Sequence, residues 1–486
     1  MTMPFKRATL ALCVMGIMGA SATAQATNAM NMDAYGAIAG GMGGAGLAHE
    51  TGNSAVMNNP ATLGMRRGEV NTVGLGYALL APRVTAEHPQ AGKDKSRART
   101  FHMPSVSYIR TQDRFSFGAA VMAQGGMGTD YRTGSSLFSG GTSMMGNMVP
   151  LSGEPIKSEL SMGRVMFPLA FRVNDRVAVA AQLDYVWAAL DLQMDFDGQT
   201  FGMLAQPGGT PNLGSASGSM ITERFQPAVQ AGNIQDVSYA RFDFNRDNRF
   251  RGEANGTGLA GKLGIVVKAT DRVTLGASYH TRTRLDDLSS SSARLSLGVL
   301  PQGSTDFQTQ TVSGRIQVND FQWPESYHLG VAFQATDRLL LAGDIRHVLW
   351  SDVMKSLDMT FTADNTPENG DFAGAQLDTS LTQRWKDQTV IALGAAYRVN
   401  ERWTVRGGTN YASNPIPDET VNPLFPAIVQ HHLTGGFSYR FSPQSALHAS
   451  LTYAPKATVT QTGPAFGGTR ISHSQTVYRV NYGYRF

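Results

Sequence analysis

Residues 41–46, "GMGGAG", fit G-x-G-x-x-G through Gly41, Gly43 and Gly46. In a strand–turn–helix unit that spacing lets backbone N–H groups cradle a pyrophosphate. The fingerprint also needs a preceding strand, a helix opening at the turn, and an acid about 20 residues on. No apolar strand precedes Gly41. Glu69 lies 23 residues past Gly46, but its flanks, "RRGEV", are not strand-like. The glycines therefore serve something other than a dinucleotide.

The remaining reactive patterns are equally incomplete. His49-Glu50 lacks the second histidine of a zinc helix, and no G-x-S-x-G elbow occurs. "DFNRDNRFRGEA" (243–254) opens like a calcium loop with Asp243, Asn245 and Asp247. It has Asn248 where the loop needs glycine and Ala254 where it needs glutamate, so a solvated loop is the simpler reading. His431-His432 reads as an interfacial or loop pair. No metal, cofactor or catalytic group is expected, and the chain reads as a non-enzyme.

The leader sets the compartment. Lys6 and Arg7 precede the apolar run "ATLALCVMGIMGA" and the small-residue sites Ala22, Ala24 and Ala26. This predicts a secretory signal peptide over 1–26, cleaved after Ala24 or Ala26. Cleavage would remove Cys13, the only cysteine, and so exclude an internal disulfide. The formal charge would fall from +4 to about +2 (39 basic minus 37 acidic). With no basic stripe, nucleic acid is not an expected partner.

No later stretch has eighteen consecutive apolar residues, which excludes a spanning helix. Charged residues are only 16% and glycines number 53. That composition suits strands with one wet and one greasy face. A turn pattern recurs in "IRTQDRFSFGAAV" (109–121), "FRVNDRVAVAAQL" (171–183), "VKATDRVTLGASY" (267–279), "FQATDRLLLAGDI" (333–345), "YRVNERWTVRGGT" (397–409) and, more weakly, "YRFSPQSALHASL" (439–451). Each centre is a tight-turn sequence between period-two runs. The connections between these hairpins are long and polar. Short turns at one end and long loops at the other mark an outer-membrane barrel. Six hairpins plus a first and a last strand predict about 14 antiparallel strands over 70–486, with both termini periplasmic. The region 286–325 could hold strand extensions or an extra hairpin, so the expected range is twelve to sixteen strands.

The last strand, "HSQTVYRVNYGYRF", alternates most clearly. Tyr478, Val480, Tyr482, Tyr484 and Phe486 share one face, expected to meet lipid; Arg479, Asn481 and Arg485 share the other. Phe486 resembles the C-terminal sorting signal read by the barrel-assembly machinery. A soluble sandwich would need a second sheet to cover those aromatics.

Residues 33–64, rich in Gly, Ala and Met and almost uncharged, precede the first strand. Small residues allow close packing, so 27–69 are expected to fold inside the barrel as a hatch. The stretch "DAYGAIAGGMGGAGLAHETGNSAVMNNPATLG", above all Asn59, Pro60 and Ala61, resembles the hatch of the FadL family of outer-membrane transporters of hydrophobic compounds. Residues 323–361, with Trp350-Ser351, and 384–426, with "WKD", are similar to further blocks of that family. The resemblance implies a fourteen-stranded plugged barrel, passive uptake through an apolar lumenal pocket, and sideways release at a kinked strand.

Such a protein exchanges one dry environment for another. Each buried methylene is worth roughly 0.8 kcal/mol, so a hydrophobic ligand can bind without any reactive group. The candidate contacts are Met42 and Met57 in the hatch, Met144 in one outer loop, and Phe201, Met203, Leu204 and Phe225 in another; methionine adapts to varied apolar shapes. Each could equally serve only to pack hatch and loops. Long-chain fatty acids are the expected cargo, with aromatic or alkyl hydrocarbons as the alternative. A barrel phospholipase is the reading of another class, and would need a serine–histidine pair. Outer-membrane lipid and glycolipid are the expected surroundings.

Overall fold

The computed structural model describes residues 28–132, 134–244 and 253–486. The expected signal peptide lies outside these, as does most of the calcium-like segment. Nineteen strands carry the argument. They are β1 (Val70–His88), β2 (Phe101–Gln112), β3 (Phe115–Asp130), β4 (Lys157–Arg172), β5 (Val177–Asp197), β6 (Ile234–Asp243), β7 (Ala254–Lys268), β8 (Val273–His280), β9 (Leu288–Pro301) and β10 (Gln308–Asn319). They continue as β11 (Ser326–Gln334), β12 (Leu339–Val348), β13 (Ser356–Ala363), β14 (Gln376–Thr382), β15 (Gln388–Arg398), β16 (Trp403–Ala412), β17 (His431–Arg440), β18 (Ser445–Thr460) and β19 (Arg470–Arg485).

Neighbours pair antiparallel around the wall, and β19 closes on β1 in an unbroken register from Arg485↔Thr72 to Arg470↔Glu87. A closed sheet leaves no unpaired edge in lipid. All six repeated turns join paired neighbours.

The strand count needs correction. Near the short turns β5 pairs directly with β7. Higher up, β6 and β9 stand between them: β5 pairs β6, β6 pairs β9, and β9 touches β7 at Ser289↔Asn255. Traced through this pair, sixteen strands close the wall among the described residues, not fourteen. β9 lies in the region 286–325, where an extra hairpin is one of the two expectations; β6 carries no signal, because it is covered on both faces from Asp236 to Asp243 and "IQDVSYARFD" shows no period-two polarity. Beyond β9, strands β10, β13 and β14 continue the sheet as a canopy at the long-loop end.

The outer surface is a belt of exposed apolar side chains, among them Leu75, Phe117, Leu183, Leu263, Leu329 and Leu433. On β19, Tyr478, Val480, Tyr482 and Tyr484 face outward while Arg479 is 2% exposed, as the alternation requires. Among the described residues no helix is long and apolar enough to cross a membrane; the strands do that.

Residues 28–65 are almost wholly buried and bond to inward-facing groups of the wall. Gly43 N–H donates to Thr434 Oγ1 at 2.8 Å, and Gly46 and Leu47 N–H donate to Asp344 at 2.7 and 3.2 Å. Lys262 Nζ donates to the Val56 carbonyl at 2.9 Å. The glycines of "GMGGAG" serve close packing against the wall. At Gly43 (φ +68°) a Cβ would lie 2.2 Å from the Thr409 carbonyl oxygen. Glycine permits both the left-handed backbone and the backbone-to-backbone approach.

Candidate ligand path

Asn59, Pro60 and Ala61 begin a 3₁₀ turn, Pro60–Met65. Asn59 caps it, accepting from Ala61 N–H at 3.1 Å, with Pro60 at the first position, where no N–H is needed. The Asn59 amide donates to the Leu47 carbonyl at 2.8 Å and to the Ile265 carbonyl of β7 at 3.1 Å. The motif is thus a clip joining two parts of the N-terminal segment to the wall. Opposite it, Gly264 leaves room for the clip: a Cβ there would lie 2.3 Å from Asn59 Oδ1 and displace that side chain.

Two apolar cavities lie at the long-loop end. The upper one is lined by Phe196, Phe201, Leu204, Phe225, Phe242 and Leu297 with their neighbours. Asp197 positions two of these by capping the helix Gly198–Leu204 through Thr200 N–H at 2.8 Å. Phe201 and Leu204 then fall on one helical face. Phe225 ends a π-helical turn and meets Phe201 edge-on at 5.1 Å. The single charged side chain of the lining, Arg241, is held by Asp195 at 2.8 Å.

The lower cavity is lined by Met30, Met127, Leu160, Leu190, Met194 and Trp385, with further apolar groups. Both belong to one continuous apolar cluster. Beside it, Trp350 packs between Trp323 and Trp385 at 5.5 and 5.3 Å, and Trp323 Nε1 donates to Asn31 at 3.0 Å.

Below lies a polar layer. Arg164 bonds Asp184 at 2.8 Å, Thr283 at 3.0 Å, and Gln124. Lys262 also approaches Asp184, at 3.7 Å, and Arg346 approaches Asp344 at 3.7 Å.

The wall itself has a flaw at this level. Pairing between β2 and β3 stops at Ser105↔Met122, although β2 begins at Phe101 and β3 runs to Asp130. Pro104 of β2 has no N–H to offer. The register of β3 on β4 shifts between Ala123 and Gly125, a bulge of the kind that bends a strand. There the N-terminal segment takes over as partner: Asn31 bridges Gly125, and Gly126 N–H donates to the Met30 carbonyl at 3.1 Å. A space of about 390 Å³, lined by Met32, Tyr35, Tyr77, Met103, Pro104 and Met122, opens beside the break.

The sequence matches the family model described as "Outer membrane protein transport protein (OMPP1/FadL/TodX)" over residues 14–486. The chain belongs to this family. Its structure is similar to that of the Pseudomonas putida toluene transporter TodX, with TM-score 0.77 and 28% identity over 93% of this chain and 99% of that one. The Ralstonia pickettii toluene transporter TbuX gives 0.72 and 27% over the same shares. The Escherichia coli K12 long-chain fatty acid transport protein is 21% identical over 84% of this chain and 82% of its own. Two other relatives, a Chlorobium limicola protein and a Pasteurella multocida 47 kDa outer membrane protein, are matched over only 58% and 50% of their length. The family is one of outer-membrane transport proteins, not of enzymes, and places the chain in the outer membrane. Serine–histidine pairs do occur in this family member, as at Ser438 and His448, 2.6 Å apart. Among the described residues no carboxylate bonds that histidine, and Arg406 donates to the serine, so nothing there makes a nucleophile.

The sequence-derived contacts divide. Phe201, Leu204 and Phe225 converge on the upper cavity. Met144 and Met203 pack against the same cluster from behind. Met42 packs among Ala45, Ala342 and Ala392 in the N-terminal segment, and Met57 faces the polar layer, where Lys262 Nζ lies 3.3 Å from its sulfur. The sequence reading did not name Met30, Met127, Leu190 or Trp385. The signal was present for one group: Leu190, Leu192, Met194 and Phe196 alternate along β5.

Proposed function

We propose that this protein admits small neutral hydrophobic compounds, of the size of a single aromatic ring, through the outer membrane by diffusion. The cargo is caught in the upper cavity, with Phe201, Leu204 and Phe225 as its walls. It passes the lower cavity and leaves sideways at the break between β2 and β3. Residues 27–69 act as the hatch that closes the straight route, and the polar layer reinforces them. Phe486, exposed beyond β19, serves as the assembly signal.

One observation carries this choice of cargo. Among the described residues the apolar cavities hold no uncommitted cation, because Arg241 is spent on Asp195. A carboxylate moved there would lose its hydration without a partner. Toluene transporters among the similar structures support the same reading.

Long-chain fatty acids remain the second reading, supported by the Escherichia coli relative and by Lys262, Arg164 and Arg346 in the polar layer. The test is uptake of labelled toluene and of labelled oleate by cells lacking their own copies, with and without this protein. Toluene uptake should rise and oleate uptake should not. Faster oleate entry, or no change for either, overturns the proposal.

A further inference from the structure

The periplasmic mouth of the barrel is a separate chamber, and it is basic. About 1010 Å³ of space below the N-terminal segment is lined by seven arginines and two glutamates among the described residues. The recurrent turn motif supplies most of that charge. Arg338, Arg398, Arg402 and Arg440 stand on consecutive short turns, and Arg398 N–H and Arg440 N–H donate to the Arg338 and Arg402 carbonyls at 2.8 and 2.9 Å.

Glu50 is already shared by Arg66 at 3.4 Å and Arg485 at 3.1 Å. Arg406 is different. It rises from β16 into the chamber, and Gly41 passes so near that a Cβ there would sit 3.2 Å from Arg406 Cβ. Its Nη1 donates to Ser438 Oγ at 2.6 Å, and that oxygen also meets His448 Nδ1 at 2.6 Å. Its Nε is buried without a partner, and among the described residues no carboxylate pairs with it.

We propose that Arg406 is the centre of a binding site for a small oxyanion, a carboxylate or a phosphate, entering from the periplasm. A guanidinium presents parallel N–H donors that match such an anion. Arg406 is largely removed from water, so its attraction is screened less than that of the rim arginines. Those rim arginines raise the local anion concentration at the mouth. Depth fixes the size of the ligand: Arg406 lies inside the wall between Ser438 and the N-terminal segment, out of reach of a folded partner. The polar layer separates it from the apolar cavities. The site therefore neither depends on the proposed uptake route nor serves it.

The experiment uses the full chain refolded in detergent, titrated by calorimetry with sodium benzoate and, separately, with inorganic phosphate in low-chloride buffer. Saturable binding of either, weakening as salt is added, is the expected result, and the tighter arm identifies the class. Arg406→Gln should weaken that binding roughly tenfold or more. Arg406→Lys, which keeps the charge and loses the fork, should retain part of it. Arg440→Gln at the rim should change it by less than about twofold. Folding of each variant is read from the heat-shifted mobility of the barrel on gels, and toluene uptake should be unchanged in all three. Absence of saturable binding by both probes, or equal affinities in wild type and the Arg406 variants, overturns the inference. If Arg406→Gln does not fold, Arg406→Lys decides alone: affinity equal to wild type overturns it.

Discussion

Asn31 forms an antiparallel bridge to Gly125, so the N-terminal segment pairs with β3 where β2 has let go. A strand break in lipid would leave backbone groups unsatisfied, at a cost of several kcal/mol each. Here Met30 and Asn31 meet part of that demand from inside, and the outer surface is left with a gap rather than a ladder. A Cβ on Gly125 would lie 2.1 Å from the Met30 carbonyl oxygen. Gly125→Val should therefore push residues 30 and 31 off β3 while the rest of the wall closes normally. The expected outcome is a folded barrel by gel mobility, with cargo uptake reduced about tenfold. Unchanged uptake would show that the break is not on the route.

The upper cavity offers a sharper test of cargo binding. Phe225 is 4% exposed and meets Phe201. Phe225→Asp places a carboxylate among apolar groups with no free cation among the described residues, where an uncompensated charge is strongly disfavoured. Uptake and equilibrium binding of toluene should both fall by more than tenfold. Phe225→Leu, keeping most of the apolar volume, should cost less than about threefold. Binding measured on the purified barrel separates this from a change in expression.

The clip at Asn59 predicts a stability effect without a cargo effect. Asn59→Ala removes the cap on Pro60–Met65 and the bonds to Leu47 and Ile265. Loss of a cap costs about 1 kcal/mol, and carbonyls left unsatisfied add about 1–3 kcal/mol. Gly264→Val should act at the same place by collision. Both should increase proteolysis of residues 28–65 in the folded barrel. Neither should alter toluene affinity in the upper cavity, which these residues do not touch.

How much of this was legible in the sequence follows from which faces are solvated. On β19, lipid and lumen give neighbouring residues opposite environments, so Tyr478 and Arg479 announce their sides. On β6 both faces are covered, and the same rule returns nothing, which is why β6 has no trace in the sequence while its partner β9 falls in the region 286–325 that could hold an extra hairpin. Asn59-Pro60-Ala61 stands out in the sequence only through its resemblance to the family's N-terminal segment; its capping role shows in the structure. The room that Gly264 leaves for it, more than 200 residues away, shows only there too. The apolar outer loops pointed to Phe201, Leu204 and Phe225. Met30 and Trp385 join the cavity wall only through the closure of the barrel, which no local pattern encodes. The break between β2 and β3 has a single local trace, Pro104, and a proline in an alternating run reads equally as a turn.

The deepest charge pair of the N-terminal segment should make its seating pH-dependent. Asp33 is buried against Arg479, and Thr452 Oγ1 donates to its second oxygen at 2.9 Å. Burial alone would raise its pKa; Arg479, His432 and Thr452 outweigh burial and hold it below the usual carboxylate value. A depressed folded-state pKa means that the pair's contribution is complete above the unfolded value of roughly 4. That contribution is lost as pH falls through the folded value. Hydrogen-exchange protection of residues 33–46 should therefore be flat from about pH 7 to pH 5 and should drop only in strong acid, below about pH 4. Asp33→Asn should abolish the acid-induced drop, because the neutral side chain has no proton to gain. Asp33→Ala strands Arg479 and should destabilise the segment by about 3–5 kcal/mol at neutral pH. Protection lost already between pH 7 and pH 5 in the wild-type chain would place the controlling titration on another group.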